Sequence, residues 1–275
     1  MGSTTVTFHG VRGSTACHGR DTARFGGNTS CVSVDAPAAP LVLFDLGTGS
    51  RYVPVEQGRE ILCLVSHLHW DHIQGLPFFP PMLDPDTRMT LCAPAPADGQ
   101  TLSRAMSSII REPVFPVGLD AFPACPELLG LGAETRDFGE VRVRSAEVAH
   151  VGRTLGYRID VDGISIAYVS DHQEPMDGGE PDRATIDLCR DVDLLIHDSQ
   201  FTAEQLVEHP DWGHCTPEFA LEVARQAGAK RVVLFHHDPE RTDDQLDELA
   251  ACHADSTAPV VWVAREGMTI ELAER

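Results

Sequence analysis

The chain has 275 residues and a formal net charge of −21, from 42 acidic against 21 basic side chains. That field repels phosphate backbones, which argues against a large nucleic acid as partner unless a basic patch or bound metal offsets it. No low-complexity tract and no window of ~18 apolar residues is present, so neither a disordered chain nor a membrane span is expected, and the cytoplasm is the expected location.

Short apolar runs punctuated by Gly and Asp open the chain: TTVTFHG, SCVSVDA and PLVLFDLGTG read as strands, and EILCLVSH as a fourth, buried one. WDHIQGLPFF then begins a short helix, with Asp71 near its start. RMTLCAP reads as a strand and ADGQTLSRAMSSIIR as a helix, whereas residues 112–139, rich in Pro and Gly, read as irregular. EVRVRSAEVAH, TLGYRIDVDG and ISIAYVSD make the next part β-rich, with a hairpin turn at Asp162-Gly163. RATIDLCRD is a helix, VDLLIHDSQ a strand, and TPEFALEVARQAGAK a helix capped by Thr216 and stopped by Gly228. RVVLFHHDP, a helix over TDDQLDELAACHAD, APVVWVARE and MTIEL close the chain. Without a repeat or a separating linker, one mixed α/β domain over residues 1–275 is the simplest reading. The eight scattered cysteines form no C-x-x-C pair and read as reduced thiols.

Chemistry concentrates in SHLHWDH, where His67, His69, Asp71 and His72 fall within six positions directly after an apolar run. Residues two apart on a strand end share a side, so His67 and His69 can grip one ion, and a helix beginning at Trp70 can turn Asp71 and His72 back to the same pocket. Imidazoles with a carboxylate suit Zn²⁺, and also Mn²⁺ or Fe²⁺. Other apolar runs stop on a His or an Asp: AEVAH at His150, ISIAYVSD at Asp171 and RVVLFH at His236.

Taken together, H-x-H-x-D-H, a distant His, a distant Asp and a last His resemble the metallo-β-lactamase superfamily, over nearly the whole chain from GVRGST to LFHHDP. The resemblance implies a four-layer αββα sandwich with two divalent ions along one edge. His67, His69 and His150 would hold one ion; Asp71, His72 and His236 the other; Asp171 would bridge them. His237, next in sequence, competes with His236 for the last position. Asp45, in FDLGTG, is expected to support the site as an acceptor behind the ligands.

GHCTPEFALEVARQAG further resembles an element of the ribonuclease Z-like phosphodiesterase branch. By that resemblance His214 faces the scissile phosphate and assists the leaving group, oriented by Asp198, with Cys215 where serine is usual. Asn28, in FGGNTSC, is a candidate substrate contact from a loop, and Asp71 a candidate acceptor of the attacking water's proton. Similarity to small cyclic phosphodiesterases, together with the acidic charge, sets the expectation of a small phosphodiester substrate, with large nucleic acid disfavoured as a partner and a homodimer by analogy. A lactonase or thioesterase on the same site, or an iron-dependent or ligand-binding member, remains the alternative.

Overall fold

Alternation in TTVTFHG puts Val6 and Phe8 on one face of an extended segment, and Thr4–Gly10 is the first strand, β1. The computed structural model describes residues 3–37 and 39–273. The first half continues with β2 (Cys31–Asp35), β3 (Leu41–Phe44), β4 (Glu60–Leu64), β5 (Arg88–Pro94) and β6 (Glu127–Leu131). The second half supplies β7 (Thr135–Phe138), β8 (Val141–Glu147), β9 (Leu155–Val161), β10 (Ile164–Val169), β11 (Leu194–Asp198), β12 (Arg231–Phe235), β13 (Val260–Val263) and β14 (Thr269–Leu272). The helices are α1 (Trp70–Ile73), α2 (Leu102–Ile109), α3 (Arg183–Leu188), α4 (Ala203–Glu208), α5 (Pro217–Ala227) and α6 (Asp243–Cys252).

The strands form two seven-stranded sheets, ordered β14-β1-β2-β3-β4-β5-β6 and β13-β12-β11-β10-β9-β8-β7. Their inner faces meet in a core that includes Phe8, Phe44, Tyr157, Tyr168 and Phe235. Phe44 of one sheet stacks on Tyr168 of the other, with ring centroids 4.7 Å apart. A second core, with Leu195, Val223 and Leu246, lies between the outer face of the second sheet and its helices. A third, with Leu43, Cys63 and Met106, covers the outer face of the first sheet. Three apolar layers between helix, sheet, sheet and helix make the αββα sandwich expected from the sequence.

Two departures concern weakly patterned segments. Residues 112–139 are not all irregular, since they contain β6 and β7. Each is the edge strand of its sheet, and β7 is largely exposed, so neither needs a continuous apolar run. Helix α4 buries none of its residues; its signal is the capping box of Thr202 and Gln205. The helix expected after Thr216 forms as α5: the Thr216 hydroxyl accepts from Phe219 N at 3.2 Å, and Gly228 closes it at φ 71°. Asp162 and Gly163 take positive φ angles of 49° and 73° in the hairpin turn between β9 and β10.

Strand direction decides where chemistry can gather. β3 to β6 are mutually parallel, and so are β10 to β13. β1 runs with β3, and β8 with β10, because each is separated from it by one antiparallel neighbour. The carboxyl ends of β1, β3, β4, β8, β10, β11 and β12 therefore open onto one edge, the edge where open α/β sheets place ligands. Among the described residues, no helix is long and apolar enough to cross a membrane.

Three histidines apart from the edge cluster are held uncharged. Burial lowers His9 to about 4 and His197 and His237 to about 3. In the unfolded chain each takes up its proton near ~6.5. Between those values the unfolded state binds more protons, so this part of the stability is complete above about pH 6.5 and is lost as the pH falls towards about 4. Urea unfolding should give a lower midpoint at about pH 5 than at about pH 7.5; equal midpoints would contradict the neutral burial of these imidazoles.

Candidate metal centre

Seven side chains meet at that edge. His67 and His69 follow β4, and α1, starting at Trp70, carries Asp71 and His72 back over the strand end. His150 follows β8, Asp171 follows β10, and His236 follows β12. Their ligand-type atoms form interlocking groups, each within 4.8 Å: His67, His69 and His150; Asp71, His72 and His236; and His67, His72 and Asp171. Asp171 Oδ1 lies 3.9 Å from His67 Nε2 and 3.7 Å from His150 Nε2, whereas Oδ2 lies 3.2 Å from His72 Nε2 and 3.4 Å from His236 Nε2. One carboxylate thus faces both histidine groups.

Hydrogen bonds behind the cluster decide which ring nitrogens face it. His72 Nδ1 donates to Asp45 Oδ2 at 2.7 Å, His67 Nδ1 to Ser66 Oγ at 3.0 Å, and His150 Nδ1 to the Gly213 carbonyl at 2.7 Å. Each bond leaves Nε2 as a lone pair pointing inward, the arrangement seen behind metal-bound imidazoles. Asp45 also accepts from Ser66 N, Ser66 Oγ and Tyr168 Oη at 2.6, 3.0 and 2.6 Å, so four donors hold one buried carboxylate. Gly213, at φ 92°, packs so close to His150 that a β-carbon there would sit 2.2 Å from its Nδ1.

A cation fits this donor set on chemical grounds. His67 Nε2, His72 Nε2 and Asp171 Oδ2 are buried without a hydrogen-bond partner, a costly arrangement for polar atoms that protein alone leaves unpaired. His69 Nδ1 and His150 Nε2 stand 3.3 Å apart, the separation of two ligand atoms each ~2.0–2.1 Å from a tetrahedral ion. Burial, with neighbouring imidazoles, pushes His67 well below its ordinary value, and burial lowers His69 and His150 too, so all three are neutral donors. Burial alone would raise Asp71 and Asp171, but the adjacent His72 and His236 hold both carboxyls below the usual carboxylate range. Asp71 also accepts from Ser14 N at 2.8 Å, and its Oδ2 lies 3.0 Å from His72 Nε2 and 3.2 Å from His236 Nε2, a position suited to a ligand.

His236 and His237 separate cleanly. His236 adopts φ 60° at the end of β12, and its Nε2 comes within 3.2 Å of Asp71 Oδ2. His237 turns away and donates from Nε2 to the Ala264 carbonyl at 2.9 Å. His214 Nδ1 donates to Asp198 Oδ2 at 3.1 Å. Asp198 is itself fixed by His172 N and Gln200 N at 3.1 and 2.9 Å. Burial opposes charge on His214, yet Asp198, Asp171 and Asp71 raise it above the ordinary value. Cys215 stays buried behind it, donating to the Asp198 carbonyl.

Asn28 is a correction. Its amide donates to Glu266 Oε2 at 3.1 Å and its backbone N to Oε1 at 2.5 Å, so it ties the FGGN loop to the chain's C-terminal part and does not line the opening. The opening has a volume of about 400 Å³ and is lined by Ser14, Leu68, His69, Trp70, Asp71, His150, Asp171, Trp212 and His214. The sequence gives no sign that Ser14 and Trp212 line the opening, and it marks Trp70 only as a helix start, although Trp70 lies within the ligand motif and Trp212 two residues before His214.

Known proteins match this architecture. A family model described as a beta-lactamase superfamily domain matches residues 43–237, which hold every one of these ligand-type side chains. The chain belongs to the beta-lactamase superfamily. A ribonuclease Z from Haloarcula marismortui is 26% identical over 96% of this chain and 95% of its own. The metallo-beta-lactamase fold protein YhfI from Bacillus subtilis superposes with TM-score 0.72 at 18% identity, covering 98% of this chain and 100% of that one. The short form of human tRNase Z gives 0.64 at 24% identity, covering 98% and 100%. With its ligand cluster, this superfamily member is a metal-dependent hydrolase of the ribonuclease Z-like branch. These relatives conflict with the expectation that the acidic charge keeps nucleic acid away: a net charge summed over the whole surface does not describe the field at one metal-lined mouth.

Replacing Asp45 by Ala frees the His72 ring and should weaken metal affinity about 10- to 100-fold, as loss of a carboxylate behind a metal-bound imidazole does. Metal content after dialysis against graded chelator measures it. Retention equal to the parent protein would contradict the orienting role.

Proposed function

We propose that the protein is a phosphodiesterase that hydrolyses RNA with two divalent ions, Zn²⁺ being the ion best suited to the donors. The observation that carries this reading is Asp171, whose two oxygens face two separate histidine groups. His67, His69 and His150 would hold one ion, Asp71, His72 and His236 the second, and Asp171 both. Divalent ions so held supply Lewis acidity to the phosphoryl group and acidify the attacking water. The chain's own part begins with the hydrogen bonds that fix ligand orientation, from His72 to Asp45, His67 to Ser66 and His150 to the Gly213 carbonyl. Ser14 N and the two facing histidines keep Asp71 ionised. His214, held by Asp198 and raised above its ordinary value, donates a proton to the leaving oxygen. The ribonuclease Z relatives support RNA over the small phosphodiester expected from the sequence.

Zn²⁺-loaded protein should cleave an unstructured RNA and a precursor tRNA while leaving a lactone and a thioester intact. Turnover of the carbonyl esters with no RNA cleavage would overturn the reading. Asp171→Ala should strip metal and activity together; full activity with metal retained would sink the two-ion arrangement. His214→Ala should lower kcat by about 10²- to 10⁴-fold with metal content unchanged, and wild-type turnover would remove His214 from the reaction.

A further inference from the structure

Two of the chain's three tryptophans stand at the mouth of the metal centre. Trp70 is 52% exposed and Trp212 57% exposed, although both rings have apolar surface that burial would favour. Trp70 is the first residue of α1, between two ligand-type side chains. Trp212 sits on the segment that leads to His214.

That segment is pinned. Gly213 N donates to Gln173 Oε1 at 2.8 Å, Gln173 Nε2 donates to the Pro210 carbonyl at 3.0 Å, and Trp212 N donates to the His209 carbonyl at 3.3 Å. The Trp212 ring is propped from behind, stacked on His209 with centroids 4.1 Å apart at 27°. Buried Phe201 lies 6.4 Å from Trp212 and meets His214 edge-on at 5.3 Å. An exposed ring held this firmly loses little freedom when a flat partner lands on it. The lining of the opening offers no Lys or Arg among the described residues, and the imidazole of His214, held by Asp198, serves the leaving oxygen and not the flanking phosphates. Beyond the metal ligands and His214, the broadest contact surface the lining offers is the flat apolar face of the two tryptophans.

We propose that Trp70 and Trp212 form an aromatic clamp for the bases beside the scissile phosphate, so that the preferred substrate is RNA whose bases are unpaired at the cut. Stacking on a protein ring requires a base already free of its own helix, and any of the bases serves, so the clamp selects strandedness and not sequence. The inference rests on the phosphodiesterase reading. It deepens that reading by naming what the site recognises around the phosphate.

The test uses metal-loaded full-length protein with the dinucleotide UpU and a counterpart whose two bases are replaced by hydrogen. Trp70→Ala and Trp212→Ala should each raise KM for UpU about tenfold, with kcat nearly unchanged and metal content verified. Neither variant should change KM for the abasic compound, and Trp212→Phe should restore most of the affinity for UpU. Equal KM for the two compounds in the parent protein, or equal effects of the variants on both, overturns the clamp and leaves the phosphodiesterase reading standing. If neither compound nor bis-nitrophenyl phosphate is hydrolysed, the phosphodiesterase reading fails, and tryptophan fluorescence decides the clamp alone. Quenching by UpU that disappears in Trp212→Ala supports it, and no quenching in the parent overturns it.

Discussion

The Asp171 carboxylate, buried between imidazoles approaching from both sides, is the constraint on which the rest of the edge depends. Its two oxygens look at different histidine groups. Such a concentration of donors in a low-dielectric pocket is unfavourable without a positive charge among them, because lone pairs repel and buried polar atoms go unpaired. The fold meets this constraint by bringing strand ends of both sheets to one edge and by fixing each ring from behind. Asp45 shows how far the support extends: it ties His72 to Ser66 and, through Tyr168, to the second sheet. Tyr168 in turn stacks on Phe44, so the core between the sheets and the orientation of a candidate ligand are mechanically one unit.

Backbone strain is concentrated in the same place. Ser14, Asp45 and His236 take positive φ angles of 59°, 58° and 60°. Each is a non-glycine residue in a conformation that costs free energy, and each either lies in the cluster or holds a side chain that does. Beyond the ligands, the His214–Asp198 pair adds a donor that the two ligand groups lack, and its raised proton affinity comes first from Asp198 and then from Asp171 and Asp71.

Much of this was legible in the sequence because the ligand residues end apolar runs. SHLHWDH, AEVAH, ISIAYVSD and RVVLFH each couple a buried strand to a donor at its carboxyl end, and a pattern that simple survives without coordinates. Choosing His236 over His237 was harder, since both are fully buried; only the left-handed turn at His236 and the Ala264 carbonyl separate them. Residues whose role depends on cross-sheet contact left no local mark. Tyr168 reads as one more aromatic in a strand, and Ser14 as a loop serine. Asn28 reads as a substrate contact because its loop could carry an amide to the metal pocket, yet its partner Glu266 lies 238 positions away. β6 and β7 escaped notice for a different reason: an edge strand is covered on fewer sides and carries a weaker pattern.

The two-ion arrangement is the claim from which the rest follows, and anomalous diffraction from crystals of zinc-loaded protein tests it most directly. Two peaks are predicted per chain, one ~2.0–2.1 Å from nitrogens of His67, His69 and His150, the other at the same range from His72 and His236, with Asp171 reaching both. A single peak, or peaks away from Asp171, would contradict the account.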